Sequence, residues 1–123
     1  MDTHCLLWWA NGDSHLSTTA ADLMQREAVF VSAASVWEIA IKFKIGKLPS
    51  AERFIGTLPS YLASQQFAVL PISAEHALRA GLLHGQHRDP FDRMLLAQAL
   101  EEKLDGIISN DEKLDGYRVK RIW

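Results

Sequence analysis

Cysteine is almost missing from this chain: Cys5 is the only one among 123 residues. An intrachain disulfide is therefore excluded, and any structural zinc site would have to be built mainly from histidines. Long apolar runs are missing as well. Stretches such as Ala28 to Val31 and Met94 to Leu100 fall far short of the roughly 20 residues needed to span a bilayer. The start, Met1-Asp2-Thr3-His4, has neither the basic opening nor the apolar stretch of an export signal, so a cytoplasmic location is expected. A marked excess of either sign of charge is missing too. A formal net charge of −2 argues against gripping nucleic acid by bulk positive charge, although a local basic patch can still do so. Internal repeats and low-complexity tracts are absent. With 48% apolar and 23% charged residues, the chain suits one domain over residues 1–123 and leaves no room for a second.

What is present is an alternation of short β-branched runs with segments of helical period. Ala28-Val29-Phe30-Val31 predicts a buried strand. From Ser35 onward, Val36, Ile39, Ala40 and Phe43 recur at helical spacing until Gly46, with Pro49 beyond. A helix is expected from about Ala51 to Gln65, a strand over Ala68 to Ile72, and a helix capped by Ser73 that runs through His84. Asp89-Pro90 opens another helix, carrying Leu95, Leu96, Ala99 and Leu100. Gly106 to Ser109 reads as a short buried strand, Asp111 to Asp115 as a single helical turn, and Tyr117 to Ile122 as a closing strand. Strands separated by helices imply an α/β fold with a mainly parallel sheet. Ligands of such sheets bind at the carboxyl ends of the strands.

Four acids fall at those ends: Asp2, Glu38, Asp92 and Asp111. Each has a plain structural explanation when taken alone. Ser35-Val36-Trp37-Glu38 has the form of a capping box, Asp89 and Asp92 suit the first turn of a helix, and Asp111 suits a cap. The combination points elsewhere. Carboxylates about 5 Å apart repel by about 3 kcal/mol per pair at an effective dielectric near 20, so a cluster of them calls for a cation. Hard oxygen ligands select Mg²⁺ or Mn²⁺, which bind phosphate oxygens and acidify water. That chemistry cuts phosphodiesters.

The segments Asp2 to Trp9, Val31 to Lys42, Gly46-Lys47-Leu48, His87 to Ala99 (His-Arg-Asp-Pro-Phe-Asp-Arg-Met-Leu-Leu-Ala-Gln-Ala) and Ile107 to Asp111 together resemble the PIN-domain family, in particular its VapC-type toxins. Five segments in family-like order and spacing, covering the whole chain, carry the resemblance. It implies a PIN-like three-layer α/β/α fold and an Mg²⁺-dependent endoribonuclease, with Mn²⁺ as a substitute. It also implies the toxin role in a toxin–antitoxin pair, inhibition by a cognate antitoxin, and a homodimer. By position, Asp2, Glu38, Asp92 and Asp111 match the family's four acids. Asp2 and Asp92 would be the principal metal ligands, with Glu38 and Asp111 bound directly or through water. Asp89 would stand beside the metal shell, and Ser109 or Asn110 would steady a ligand carboxylate. The implied reaction is in-line attack of metal-activated water on the scissile phosphate, leaving 5′-phosphate and 3′-hydroxyl ends. In one respect the chain departs from the family: only Met1 precedes Asp2, where several apolar residues of a first strand are usual. The expectation is a start truncated upstream, or a domain lacking that strand.

Arg93 is a candidate for phosphate contact or, equally, for an ion pair with Asp89 four residues earlier. Lys42, Lys44, Lys47 and Arg53 form the densest basic segment and are candidates for RNA backbone contact, against a solvated helix face. Trp8, Trp9 and Trp37 suit either core or a surface for an antitoxin helix. His84 and His87 are three residues apart but lack a third soft ligand, so no zinc is expected and His87 reads as exposed. Cys5, among apolar residues, reads as an inert thiol. Two rival functions remain. One is a catalytically silent PIN-like protein-binding module. The other is a phosphoacceptor receiver domain, which would need an aspartate after a middle strand that Val69 to Ser73 does not supply.

Overall fold

The structure is a computed structural model that describes residues 1–85 and 87–123. Six α-helices and four short strands are found among the described residues: α1 (Thr3–Asn11), α2 (Thr18–Arg26), β1 (Phe30–Ser32), α3 (Ala33–Lys44), α4 (Leu58–Ser64), β2 (Ala68–Leu70), α5 (Ala74–Leu82), α6 (Pro90–Glu101), β3 (Ile107–Ile108) and β4 (Arg121–Ile122). The expected α/β class holds, and both strand pairs are parallel. β1 pairs with β2 in the register Phe30 to Ala68, Val31 to Val69 and Ser32 to Leu70. β3 pairs with β4, Ile107 to Arg121 and Ile108 to Ile122. The described strands thus form two two-stranded pieces. Residues 1 and 2 link them: the Met1 amine donates to Phe30 O at 2.8 Å and Asp2 N–H to Ile108 O at 2.9 Å.

Helix starts follow short polar side chains that accept the orphan N–H groups of a first turn. Asp2 caps α1, Ser17 caps α2, Ser73 caps α5 and Asp89 caps α6. Gly12 ends α1 in the left-handed region (φ 63°), its N–H returning to Trp8 O and Trp9 O. The capping box expected at Ser35 and Glu38 is not formed. Ser32, the last residue of β1, caps α3 instead by accepting from Ala34 N–H at 3.0 Å, which puts Ser35 already inside the first turn. The helix expected from Ala51 to Gln65 is shortened to α4, preceded by 3₁₀ turns at Pro49–Arg53 and Ile55–Thr57. Pro59 has no N–H to donate and fits only a first turn, so the regular helix begins there. The closing strand shrinks to Arg121–Ile122 because β3 offers only two residues to pair with.

Two apolar clusters hold these elements. Leu6, Val31, Ile39, Leu58 and Leu62, all nearly inaccessible, lock α1, β1, α3 and α4 together. Leu95, Leu96, Ala99, Ile107 and Leu114 lock α6 against β3 and the turn at Glu112–Gly116. At about 1.5–3 kcal/mol per buried large apolar side chain, the second cluster fixes the first turn of α6 relative to the end of β3.

Candidate active site

The carboxyl ends of β1 and β3 and the N-termini of α1 and α6 meet where the acids lie. Asp2 is placed by its own N–H on Ile108 O, and its Oδ1 accepts from Cys5 N–H at 2.9 Å. Glu38 lies on the buried face of α3, Asp92 in the first turn of α6, and Asp111 caps the turn after β3 by accepting from Lys113 N–H at 3.0 Å. Their mutual influence is visible at Asp92. Burial first, then the charge of Asp89, and further the charges of Asp2 and Glu38, push its carboxyl up to about 6, against the opposing pull of His87. A carboxylate held so far above its ordinary 3.8 resists ionising where neighbouring negative charge is uncompensated.

Within the site, the acids are held in two different ways. Glu38 is buried and already doubly engaged: Thr3 Oγ1 donates to Oε2 at 2.6 Å, and Lys42 Nζ lies 2.6 Å from Oε1. Thr3 is itself buried, with Ser35 Oγ 2.9 Å away. Asp92 and Asp111 instead converge on an imidazole. His87 Nε2 lies 3.0 Å from Asp111 Oδ2 and 3.5 Å from Asp92 Oδ2, and the three potential ligand atoms lie within 4.8 Å of one another. Burial pushes the Asp111 carboxyl up, but the Lys113 N–H and the His87 ring outweigh it and leave the group below its ordinary value. One nitrogen and a set of carboxylates, one of them reluctant to ionise, fit a divalent cation in charge and donor type.

The cluster opens into a cavity of about 600 Å³ lined by His87, Arg88, Asp89, Asp92, Asp111 and Lys113, among others. Asp2 and Glu38 are not part of its lining and are each only 5% exposed, although their charges act on Asp92. Arg88 and Lys113 bring positive charge to the same opening, suited to a phosphate approaching the acids.

Other residues singled out in the sequence have definite places. Asp89 is the N-cap of α6, its Oδ1 accepting from Phe91 N–H at 2.8 Å and Asp92 N–H at 3.3 Å. Ser109 is fully buried, and its hydroxyl accepts from Asp111 N–H at 3.0 Å, steadying the backbone of an acid. Asn110 is exposed. Arg93 neither pairs with Asp89 nor faces the cavity opening. Its guanidinium donates to the carbonyls of Ala80 at 2.9 Å, Leu83 at 2.7 Å, His87 at 3.1 Å and Gly81 at 3.3 Å. Five fixed donors match this ring of carbonyls better than a single phosphate, and so Arg93 ties the loop after α5 to α6. Lys42 is taken by Glu38, whereas Lys44, Lys47 and Arg53 are exposed. Cys5 is buried, its thiol pushed up by burial and by the Asp2 carboxylate, hence unreactive.

His87 is the correction of most consequence. It reads as exposed ahead of a helix, but only 7% of it is accessible, and Tyr117 Oη and Arg93 grip its backbone at 3.2 and 3.1 Å. Its position two residues before the Asp89 cap was the available signal. Thr3 was missed as well, although a hydroxyl directly after the first acid hinted at a partner for another acid. Trp37 is 62% exposed and meets Phe91 edge to face, ring centroids 5.4 Å apart, at the flank of the site.

The family model described as PIN domain matches residues 1–120. Ribonuclease VapC16 of Mycobacterium tuberculosis is 36% identical over 63 residues, which cover 51% of this chain and 39% of that protein. The match thus spans well under half the length of this relative. No solved structure matches the chain significantly.

Proposed function

Since the chain belongs to the PIN-domain family, we propose that it is a divalent-metal-dependent endoribonuclease and the toxin of a toxin–antitoxin pair. The observation that carries this reading is the state of Asp92. Its carboxyl is pushed up to about 6 by burial and by the charges of Asp89, Asp2 and Glu38, and Asp111 stands across His87 from it. Carboxylates gathered under such repulsion are poised for a cation. Asp2 and Asp92 would be its principal ligands, with Glu38 and Asp111 bound directly or through water, and Asp92 and Asp111 line the cavity wall. When bound, the cation would neutralise phosphate charge and acidify water, chemistry that Mg²⁺ and Mn²⁺ both supply.

The chain's own residues do the positioning. Thr3 and Lys42 fix Glu38 so that its rotamer is set before substrate arrives. Ser109 and Lys113 N–H fix Asp111. Arg88 and Lys113 meet the RNA backbone at the opening, and Lys44, Lys47 and Arg53 extend that contact. The RNA preference is supported by the name of the mycobacterial relative.

An antitoxin partner finds support along α3 and its C-cap, where Trp37, Ile41 and Ile45 are exposed at i, i+4 and i+8, the spacing of an apolar helix stripe. Leu78 and Leu82, both about two-thirds exposed on α5, similarly support a homodimer. No described helix is long and apolar enough to cross a membrane; a cytoplasmic place of action is part of the proposal.

The decisive test is gel-resolved cleavage of tRNA, rRNA fragments and single-stranded DNA with Mg²⁺, Mn²⁺ or EDTA, comparing wild type with Asp92→Asn. Metal-dependent RNA cleavage, lost in a folded Asp92→Asn protein, is the expected result. Identical behaviour of the two proteins on every substrate would favour the protein-binding module.

A further inference from the structure

A bound dication of small radius has ligands about 2.1 Å away, so two adjacent ligands of an octahedron lie about 3.0 Å apart. His87 Nε2 lies 3.0 Å from Asp111 Oδ2 and 3.5 Å from Asp92 Oδ2, and all three atoms fall within 4.8 Å of one another. The spacing is that of three atoms able to share one face of a coordination sphere after small movements. The ring is more than nine-tenths buried and directed into the cluster, and its Nδ1 has no hydrogen-bond partner among the described residues. With Nδ1 unengaged, no hydrogen bond fixes the ring proton at that end, and Nε2 is the atom that faces both carboxylates. Its backbone is fixed from two sides, by Tyr117 Oη on its N–H and by Arg93 on its carbonyl, so the ring is presented to the acids by a built loop.

We propose that His87 is itself a metal ligand, its Nε2 joining Asp92 and Asp111 in a mixed nitrogen and oxygen set that favours Mn²⁺ over Mg²⁺. The inference rests on the metal-dependent reading above and adds to it a nitrogen donor. Imidazole is a borderline donor that suits transition-metal dications, whereas Mg²⁺ prefers oxygen and retains its waters. The hydrogen bond between His87 and Asp111 then belongs to the metal-free protein: a cation held by Nε2 would need the tautomer that carries the ring proton on Nδ1. The count of unpartnered ring nitrogens is the same in either tautomer, so the shift adds no new orphan.

The test is pulsed electron paramagnetic resonance of the full chain loaded with one equivalent of Mn²⁺, in natural abundance and with ¹⁵N-histidine. Histidine nitrogen coupled directly to Mn²⁺ is expected in the wild type. In His87→Gln that coupling should vanish, and the preference for Mn²⁺ over Mg²⁺ in competition titrations should fall by about tenfold or more. Mn²⁺ bound without histidine nitrogen, or a coupling that persists in His87→Gln, would overturn the ligand role and leave the metal-dependent reading standing. A wild type that binds no Mn²⁺ and no Mg²⁺ would overturn both. Should His87→Gln fold poorly, His87→Asn carries the same comparison among the five histidines, and a labelled wild type without the coupling already overturns the proposal.

Discussion

Thr3 and Glu38, 35 positions apart, are joined by a 2.6 Å hydrogen bond from Thr3 Oγ1 to Glu38 Oε2, with both residues buried. The bond fastens the first turn of α1 to the middle of α3 at the acid cluster. Thr3→Val keeps the shape and removes the donor. Loss of a buried hydrogen bond to a charged group should lower stability by about 1–3 kcal/mol, read by chemical denaturation. Metal affinity should fall about tenfold or more as Glu38 loses its orientation; unchanged affinity would show that Lys42 alone positions it.

Asp92 gives a pH signature. Its folded-state carboxyl stands at about 6 against an ordinary 3.8, so the metal-free folded protein binds the extra proton between those values. Stability therefore falls as pH rises from about 4 through 6. Asp92→Asn, which cannot ionise, should be more stable than wild type at pH 7 by on the order of 1 kcal/mol, allowing for the partial solvent access of the group. The advantage should shrink towards pH 4. Thermal melts at the two pH values, in EDTA, measure it.

Added metal should reverse that penalty. At 100 times its dissociation constant, a cation bound only by the folded chain stabilises by about 2.7 kcal/mol. The melting temperature should rise with Mn²⁺ or Mg²⁺, return on chelation, and respond far less in Asp92→Asn. An equal rise in both proteins would place the cation elsewhere.

Gly106 offers a test of the sheet beneath the site. A Cβ there would stand 2.5 Å from Lys120 O and 3.1 Å from Ile122 Cδ1, and the first of these is backbone. Gly106→Ala should cost about 1–3 kcal/mol by overpacking, and by shifting β3 should weaken metal binding through Asp111. Denaturation and metal titration on the same variant check both effects.

The class of fold was legible because β-branched runs such as Ala68 to Leu70 and capped helices such as that opened by Asp89-Pro90 are local signals. The acids were legible as positions at element ends, and the structure brings Asp2, Glu38 and Asp89 close enough to Asp92 for their charges to act on it. What was not legible is what each side chain touches. Ser35 and Glu38 satisfy a local capping pattern, yet long-range partners won: Ser32 took the cap, and Thr3 and Lys42 took the glutamate. His87 was misread for the same reason, since its burial depends on Tyr117 and Arg93. α1 and α2 were not legible as helices, since Asp2 serves at once as an acid of the cluster and as the α1 cap.

The four carbonyls gathered by Arg93 have a consequence for inheritance. Because the same guanidinium reaches the end of α5, the loop beyond it and the residue that faces the acids, that loop is not an interchangeable module. Transplanting residues 83–89 into a relative without the arginine would carry the letters of the site but not its shape, so loop and arginine should be exchanged as one unit.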